Sequence, residues 1–191
     1  IFVDDGSSDD TKEIVSQFST VQYFYQQNQG KGAAVKNGLL KSSGDYVLIQ
    51  DADLEYDVND YIKLMDVIKN GHPGAVYGSR TKHVGRHPDQ SFLPWLAGVI
   101  LSIWTYILFQ QWISDTLTAY KVYPRDFLNQ ISIETTGFET DHELTAKLIR
   151  LGFSIVEVPI NYHPRSVADG KKIRARDGFI AVFTLLKYRF K

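Results

Sequence analysis

The chain of 191 residues has no cysteine and a single methionine, Met65. Without cysteine there is no disulfide framework and no thiolate nucleophile or metal ligand, which favours a cytosolic environment. The chain opens on Ile1, Phe2 and Val3, so it is expected to start downstream of its translation start, with any targeting segment out of view. Charge is missing from one long stretch, since no charged side chain lies between Gln90 and Ser114. Basic residues are scarce at the start and acidic ones at the end: residues 1–60 hold 4 Lys and Arg against 11 Asp and Glu, whereas residues 163–191 hold 8 against 2. By itself that split is ordinary variation of solvated surface; combined with the motifs further along the chain, it suggests an acidic half that holds a metal and a basic tail that meets phosphate or an anionic membrane surface. What is present, 43% hydrophobic and 23% charged residues, is the composition of one globular domain with a sizeable core, which excludes disordered and fibrous classes.

Hydrophobic periodicity predicts strands alternating with helices: "IFV", a helix from Thr11 to Phe18 capped by Ser8 or Asp9, "VQYFY", a helix opened by "NQGKGAAVKNGLLK", "YVLIQ", the helix "VNDYIKLMDVIKN", and "GAVYGSR". This alternation implies βαβ units and a mostly parallel sheet, with ligands gathered at the carboxyl ends of its strands. The uncharged run "FLPWLAGVILSIWTYILF" is long enough to span a bilayer, but Pro94, Gly98, Ser102 and Thr105 interrupt it. Two readings stand: a helix in the membrane interface, which Trp95, Trp104 and Trp112 would suit, or a plain buried helix. Beyond it come the strand "TAYKVYP", a short helix, a helix from Glu139 to Leu151, the extended "FSIVEVPINYHPR", and "GFIAVFTLLKYRFK", apolar on one face and basic at its end.

Four carboxylates, Asp51, Asp53, Glu55 and Asp57, crowd into seven residues after the apolar "YVLI". Like charges so close repel, and no basic residue lies near in sequence. Extended backbone would point Asp51, Asp53 and Glu55 the same way, a set of hard oxygens suited to Mg²⁺ or Mn²⁺. An EF-hand loop from Asp51 fails, because Tyr56 and Ile62 stand where Gly and Glu are needed. A P-loop around Lys31 fails on Tyr25 and Gly32. An aspartyl-phosphate enzyme with Asp51 as nucleophile and Asp53 as general acid stays open on chemistry, although it leaves "DDGSSDD" and the basic tail unexplained. His142 and His163 look like ordinary surface histidines.

The segments "VDDGSSDDT", "NQGKGAAVKNGL", "DYVLIQDADLEYD", "VYGSR", "GFETDHELTAKLIRLGFSIVEVPINYHPR" and "GKKIRARDG" together resemble the family 2 glycosyltransferases, and within them the dolichyl- or polyprenyl-phosphate mannosyl- and glucosyltransferases. The resemblance runs through nearly the whole chain in order. It implies a GT-A nucleotide-sugar-binding α/β fold with a mostly parallel central sheet, here lacking the family's first strand. It also implies a domain over residues 1–162 with residues 163–191 as its basic, acceptor- and membrane-proximal tail. The implied activity is metal-dependent, inverting transfer of a hexose from a GDP- or UDP-sugar to a polyprenyl or dolichyl phosphate. The place would be the cytoplasmic face of a membrane, the protein being peripheral or anchored by segments outside this chain, with no nucleic-acid partner.

Carried over to this sequence, the resemblance makes "DAD" a DXD motif in which Asp53 ligates the metal and Asp51 touches the ribose or the metal, with Glu55 a further ligand or supporting group. Asp4 and Asp5 would contact the nucleotide, Lys31 would lie beside it, Arg80 would face the phosphates, and Asp115 would stand near the sugar. Asp141, with Glu139 beside it, would be the acceptor-side base or orienting carboxylate, helix capping being the plainer role for both. Arg165, Lys171, Lys172 and Arg176 would hold the acceptor phosphate. The sequence departs from the family pattern in two places: "TKHVGRHPDQSF" offers only Arg86 or Lys82 where an acceptor-gripping Arg is common, and "TAY" replaces the usual glycine after threonine. The alternatives are a related enzyme acting on a glycan or cell-wall acceptor, and a catalytically silent nucleotide-sugar-binding scaffold.

Overall fold

The computed structural model describes residues 1–82, 85–86, 91–164 and 175–191. Its elements follow the predicted alternation: β1 (Phe2–Asp5), α1 (Thr11–Ser16), β2 (Tyr23–Gln26), α2 (Lys31–Lys41), β3 (Tyr46–Ile49), a 3₁₀ turn (Val58–Asp60) leading into α3 (Tyr61–Lys69), and β4 (Ala75–Ser79). The second half adds α4 (Phe92–Phe109), β5 (Lys121–Pro124), α5 (Arg125–Leu128), α6 (Thr140–Arg150), β6 (Ile155–Pro159) and α7 (Ala175–Phe190). The first helix is shorter than expected, ending at Ser16, and Asp10 rather than Ser8 or Asp9 takes its cap position. Asp9 instead accepts a hydrogen bond from Thr11 N at 3.1 Å, a local turn of the kind short acidic side chains favour.

β1 and β2 pair in parallel, and a separate sheet runs in the order β3-β5-β4-β6. Three of those four strands point one way, while β5 lies antiparallel between β3 and β4. Hydrophobic periodicity reads the same in either direction, so β5 could be found from sequence but not oriented.

β4 is buried at every position and β5 likewise, as expected of central strands covered on both faces. Alternation then sorts their side chains between two clusters. Val76 and Val122 join Leu64 of α3, Val158 of β6 and the tyrosines 56, 120 and 162 on one face. Ala75, Tyr77 and Tyr123 join Phe127, Leu144 and Leu148 beneath α6 on the other. A third cluster forms where α4, α6 and α7 meet, around Leu101, Ala146, Ala181, Leu185 and Tyr188. The uncharged segment is thus one helix, packed on the domain along one edge and open along the other. Its inner edge, Leu101, Ser102 and Thr105, is buried, whereas Leu93, Ile100 and Ile107 stand exposed. By length and composition it is able to cross a membrane.

Candidate functional site

The acids at the end of β1 are occupied by their own neighbourhood. Asp4, 4% exposed, accepts hydrogen bonds from Tyr23 Oη (2.5 Å) and Ser7 N (2.7 Å). Burial pushes its carboxyl up, and these bonds outweigh that effect and hold it below the usual value. Asp5 receives Gln26 Nε2 (2.6 Å), Gln29 N (2.9 Å) and Gly30 N (2.8 Å), so it shapes the turn between β2 and α2. At that turn Gly30 has φ +100°, a left-handed conformation that suits glycine. Gly32 follows within the helix, where its N donates to the Thr136 carbonyl at 2.7 Å. The 134–136 segment is itself held by Glu143, fully buried on α6, whose carboxylate accepts from Glu134 N (3.0 Å), Thr135 N (2.8 Å) and Lys147 Nζ (2.5 Å).

That scaffold fixes where Lys31 begins its helix, and Lys31 is the missing positive charge. Its Nζ stands 2.9 Å from Asp51 Oδ2 and 3.2 Å from Asp141 Oδ2, joining residues 20 and 110 positions away. Burial lowers the lysine's affinity for its proton, but Asp141 and Asp51 outweigh it and hold the ammonium above the ordinary lysine value. Asp141 sits in the first turn of α6, where helix amides favour a carboxylate. Desolvation raises its carboxyl, and Lys31 and Lys121 bring it back below the usual range. Lys121 has no exposed surface; its Nζ is 3.7 Å from Asp141 Oδ1 and donates to Thr116 O at 3.0 Å. A second pair lies nearby in the fold. Arg80 donates to Asp115 through Nε (2.7 Å), a terminal nitrogen (2.7 Å) and its backbone N (2.9 Å), with its guanidinium 4.9 Å from the Tyr162 ring centre. Glu157 in turn accepts from Ser114 N (2.9 Å) and Asp115 N (3.1 Å).

Several expected positions differ. The chain leaves its extended course after Ile49, and Leu54 turns with φ 59°, so Asp51, Asp53 and Glu55 do not share a strand face. Glu55 is instead buried, and its carbonyl accepts His163 N at 2.8 Å where Tyr56 bridges to Tyr162. Among the described residues no group of three His, Cys, Asp or Glu side chains is placed to hold a metal ion. Arg80, expected to face the phosphates, is paired with Asp115, expected near the sugar. Glu139 takes the cap position of α6, its carboxylate reaching back to Gly137 N at 3.2 Å. His142 is 2% exposed rather than on the surface, whereas His163 is exposed as expected. Arg176 is exposed in the first turn of α7, 3.8 Å from Asp177. Lys82 donates to the Glu157 carbonyl at 2.5 Å. Arg165, Lys171 and Lys172 lie outside the described residues. Lys121, Glu143 and Glu157 had not been singled out from sequence. A charged residue inside an apolar strand, as in "TAYKVYP", was the available signal for the first of them.

The family model described as Glycosyl transferase family 2 matches residues 1–120. The chain belongs to that family. Among its relatives, it is 30% identical over 187 residues to the dolichyl-phosphate beta-glucosyltransferase of Dictyostelium discoideum, covering 91% of this chain and 56% of that protein. It is 28% identical over 197 residues to the enzyme of the same name from Saccharomyces cerevisiae, covering 91% of this chain and 58% of that protein. The chain therefore spans a little over half the length of these relatives. Its fold is of the GT-A type: glucosyl-3-phosphoglycerate synthase from Mycobacterium tuberculosis, solved with uridine diphosphate, superposes with a TM-score of 0.73 at 18% identity over 98% of this chain and 68% of that one. The same synthase has also been solved with Mn²⁺ and UDP-glucose, with a TM-score of 0.71 at 20% identity over 98% of this chain and 67% of that one.

Proposed function

We propose that the protein containing this chain transfers a hexose, with inversion, from a nucleoside-diphosphate sugar to a polyprenyl or dolichyl phosphate. The observation that carries the reading is the ammonium of Lys31 shared by Asp51 and Asp141. It brings the acid after β3, on the donor side, within one side chain's reach of the acid on α6, on the acceptor side. The relatives' names favour glucose as the sugar and a lipid phosphate as its acceptor.

A divalent cation needs only one or two protein carboxylates, taking its other ligands from water and phosphate. Asp51, which already attracts an ammonium, and Asp53 fit that requirement. When bound, Mg²⁺ or Mn²⁺ offsets the charge that builds on the departing diphosphate. Asp5 holds the turn that presents Lys31, and Lys31 adds positive charge on the same side. The acceptor phosphate is already an anion, so it needs orientation more than deprotonation. One of its oxygens bonds to the anomeric carbon while the bond from that carbon to the diphosphate breaks on the opposite face. Asp141 fixes the line of approach, and Arg165, Lys171, Lys172 and Arg176 draw in the acceptor phosphate. The apolar faces of α4 and α7 rest on the cytoplasmic side of the membrane that carries the lipid.

The test is transfer by the full-length protein from labelled UDP-glucose and GDP-mannose, with Mn²⁺, to polyprenyl phosphate and to soluble glycan acceptors. Asp53→Ala is expected to lower the rate by about 100-fold or more. An unchanged rate and metal dependence in that variant would remove the donor-site assignment, and labelled glycan without labelled lipid would replace the acceptor.

A further inference from the structure

Lys121 is a charged residue in the middle of a covered sheet, and the fold explains where it points. In the β4–β5 pairing it stands opposite Tyr77, which puts it on the face that α6 covers, its Nζ 5.0 Å from the Tyr77 ring centre. A buried ammonium costs several kcal/mol unless its surroundings compensate. Burial pushes the pKa of Lys121 down, and the Thr116 carbonyl at 3.0 Å, the face of the Tyr77 ring and Asp141 Oδ1 at 3.7 Å offset that cost in part. Well-packed methionine or leucine at such a site would avoid the desolvation entirely, so packing alone does not account for a lysine there. The Asp141 carboxylate does account for it, because its two oxygens are divided between two ammonium groups. Oδ2 faces Lys31, whose side chain is 19% exposed, and Oδ1 faces Lys121, which has no exposed surface.

We infer that Lys121 is a positioning residue, an inner ammonium that fixes where the Asp141 carboxylate points while Lys31 serves the open side. The inference rests on the reading of Asp141 as the acceptor-side carboxylate. The two lysines differ in what a substrate can do to them. An entering diphosphate competes with Asp51 and Asp141 for Lys31, and as that ammonium turns toward the donor, Asp141 loses its outer partner. Lys121, sealed between β5 and α6, cannot follow, so Asp141 keeps a counter-charge and a fixed orientation through the reaction. This residue acts through Asp141 and touches no substrate.

A double-mutant cycle in the full-length protein tests this, with Lys121→Met, Asp141→Asn and the two combined, each followed by kcat, KM for donor and acceptor, and thermal unfolding. Lys121→Met is expected to lower kcat about 10- to 100-fold with donor KM within about threefold of wild type, and Lys121→Arg to recover part of the loss. In the Asp141→Asn background the same change is expected to cost no more than about threefold in kcat, because the partner it acts through is gone. An unaltered kcat in Lys121→Met, or a loss repeated in full on top of Asp141→Asn, would overturn the inference. If Lys121→Met, which strips Asp141 of its inner partner, fails to fold, the combined variant, which removes both charges, is compared directly with Asp141→Asn: equal kcat supports the inference and a further tenfold loss rejects it. Wild-type transfer by Asp141→Asn would overturn the role given to Asp141 itself, whatever Lys121 does, which keeps the two failures apart.

Discussion

His142 shows how a single side chain couples this site to pH. It follows Asp141 in the first turn of α6, is 2% exposed, and its Nδ1 is buried without a hydrogen-bond partner. Burial, helped by the charge of Lys121, pushes its pKa down to about 4. In the unfolded chain a histidine titrates near its ordinary value of about 6.5. Between those two values the unfolded state binds a proton that the folded state refuses, so folding stability falls as pH drops through that window and is unaffected above it. From pH 7 to pH 5 the expected loss is on the order of 2 kcal/mol. Denaturant titration at both pH values should show this loss in the wild type and most of it abolished in His142→Asn; an equal loss in both proteins would contradict the assignment. Asp115, Asp141 and Glu143 are shifted the other way relative to their charge, held ionised by partners that outweigh their burial. Their share of the stability begins to be lost only as pH falls below about 5, toward their unfolded values, so it contributes little between pH 7 and pH 5. The pattern "TDHE" reads as an exposed first turn because polar residues usually are; the covering of α6 by the sheet and by α7 is what buried it.

At the scale of an element, α2 is positioned by its closeness to the segment that precedes α6. A Cβ on Gly32 would come within 2.8 Å of the Thr136 carbonyl carbon and 2.9 Å of Thr135 O, both backbone atoms that cannot step aside. Gly32→Ala should therefore move the start of α2, and Lys31 with it, costing about 1–3 kcal/mol of stability and weakening donor binding. Gly38, in the same helix, supplies the control. A Cβ there meets only Val3 Cγ2 at 3.4 Å, so Gly38→Ala should be within about 1 kcal/mol of wild type, on the stabilising side if helix propensity prevails. Urea unfolding midpoints and calorimetric titration with UDP and GDP check both, and a Gly32→Ala protein indistinguishable from Gly38→Ala would remove the account of the seam. "NQGKG" was readable as a glycine-flanked helix start, but the partner that makes Gly32 obligatory lies more than a hundred residues onward.

On the whole molecule, polarity is distributed by face. α7 packs onto α4 and α6, with Trp104 Nε1 donating to Val182 O at 3.2 Å, and its end is tied to Glu134 by Lys187 (3.5 Å) and by Tyr188 Oη (3.2 Å). The last helix is therefore packed into the domain. The two helices leave large apolar side chains uncovered: Ile107 is 55% exposed, Phe183 67% and Phe179 69%. Large exposed apolar side chains on adjacent helices mark an interaction surface, and the proposed lipid-phosphate acceptor would make a membrane its occupant. Ile107→Asp combined with Phe183→Asp should reduce co-sedimentation of the full-length protein with anionic vesicles by about tenfold and slow transfer to lipid acceptor, with UDP affinity unchanged. Vesicle binding at the wild-type level would remove this surface from the proposed function.

The sequence by itself determined the elements and their order, because side-chain periodicity, turn glycines and helix starts are written within a few residues of one another. It also determined that acids cluster after β1 and β3, and it set six short segments in the order that carries the family resemblance. Only the tertiary structure decided which charges meet. Lys31 finds Asp51 and Asp141, Arg80 is taken up by Asp115, and Lys121 is sealed beneath Asp141. It likewise decided that β5 runs against its neighbours and that a turn at Leu54 ends the expected row of carboxylates. The physical reason is one of range. Local backbone preferences act over a few residues, whereas ion pairs and burial depend on packing among segments far apart in the chain, and no pattern along a single sequence records those distances.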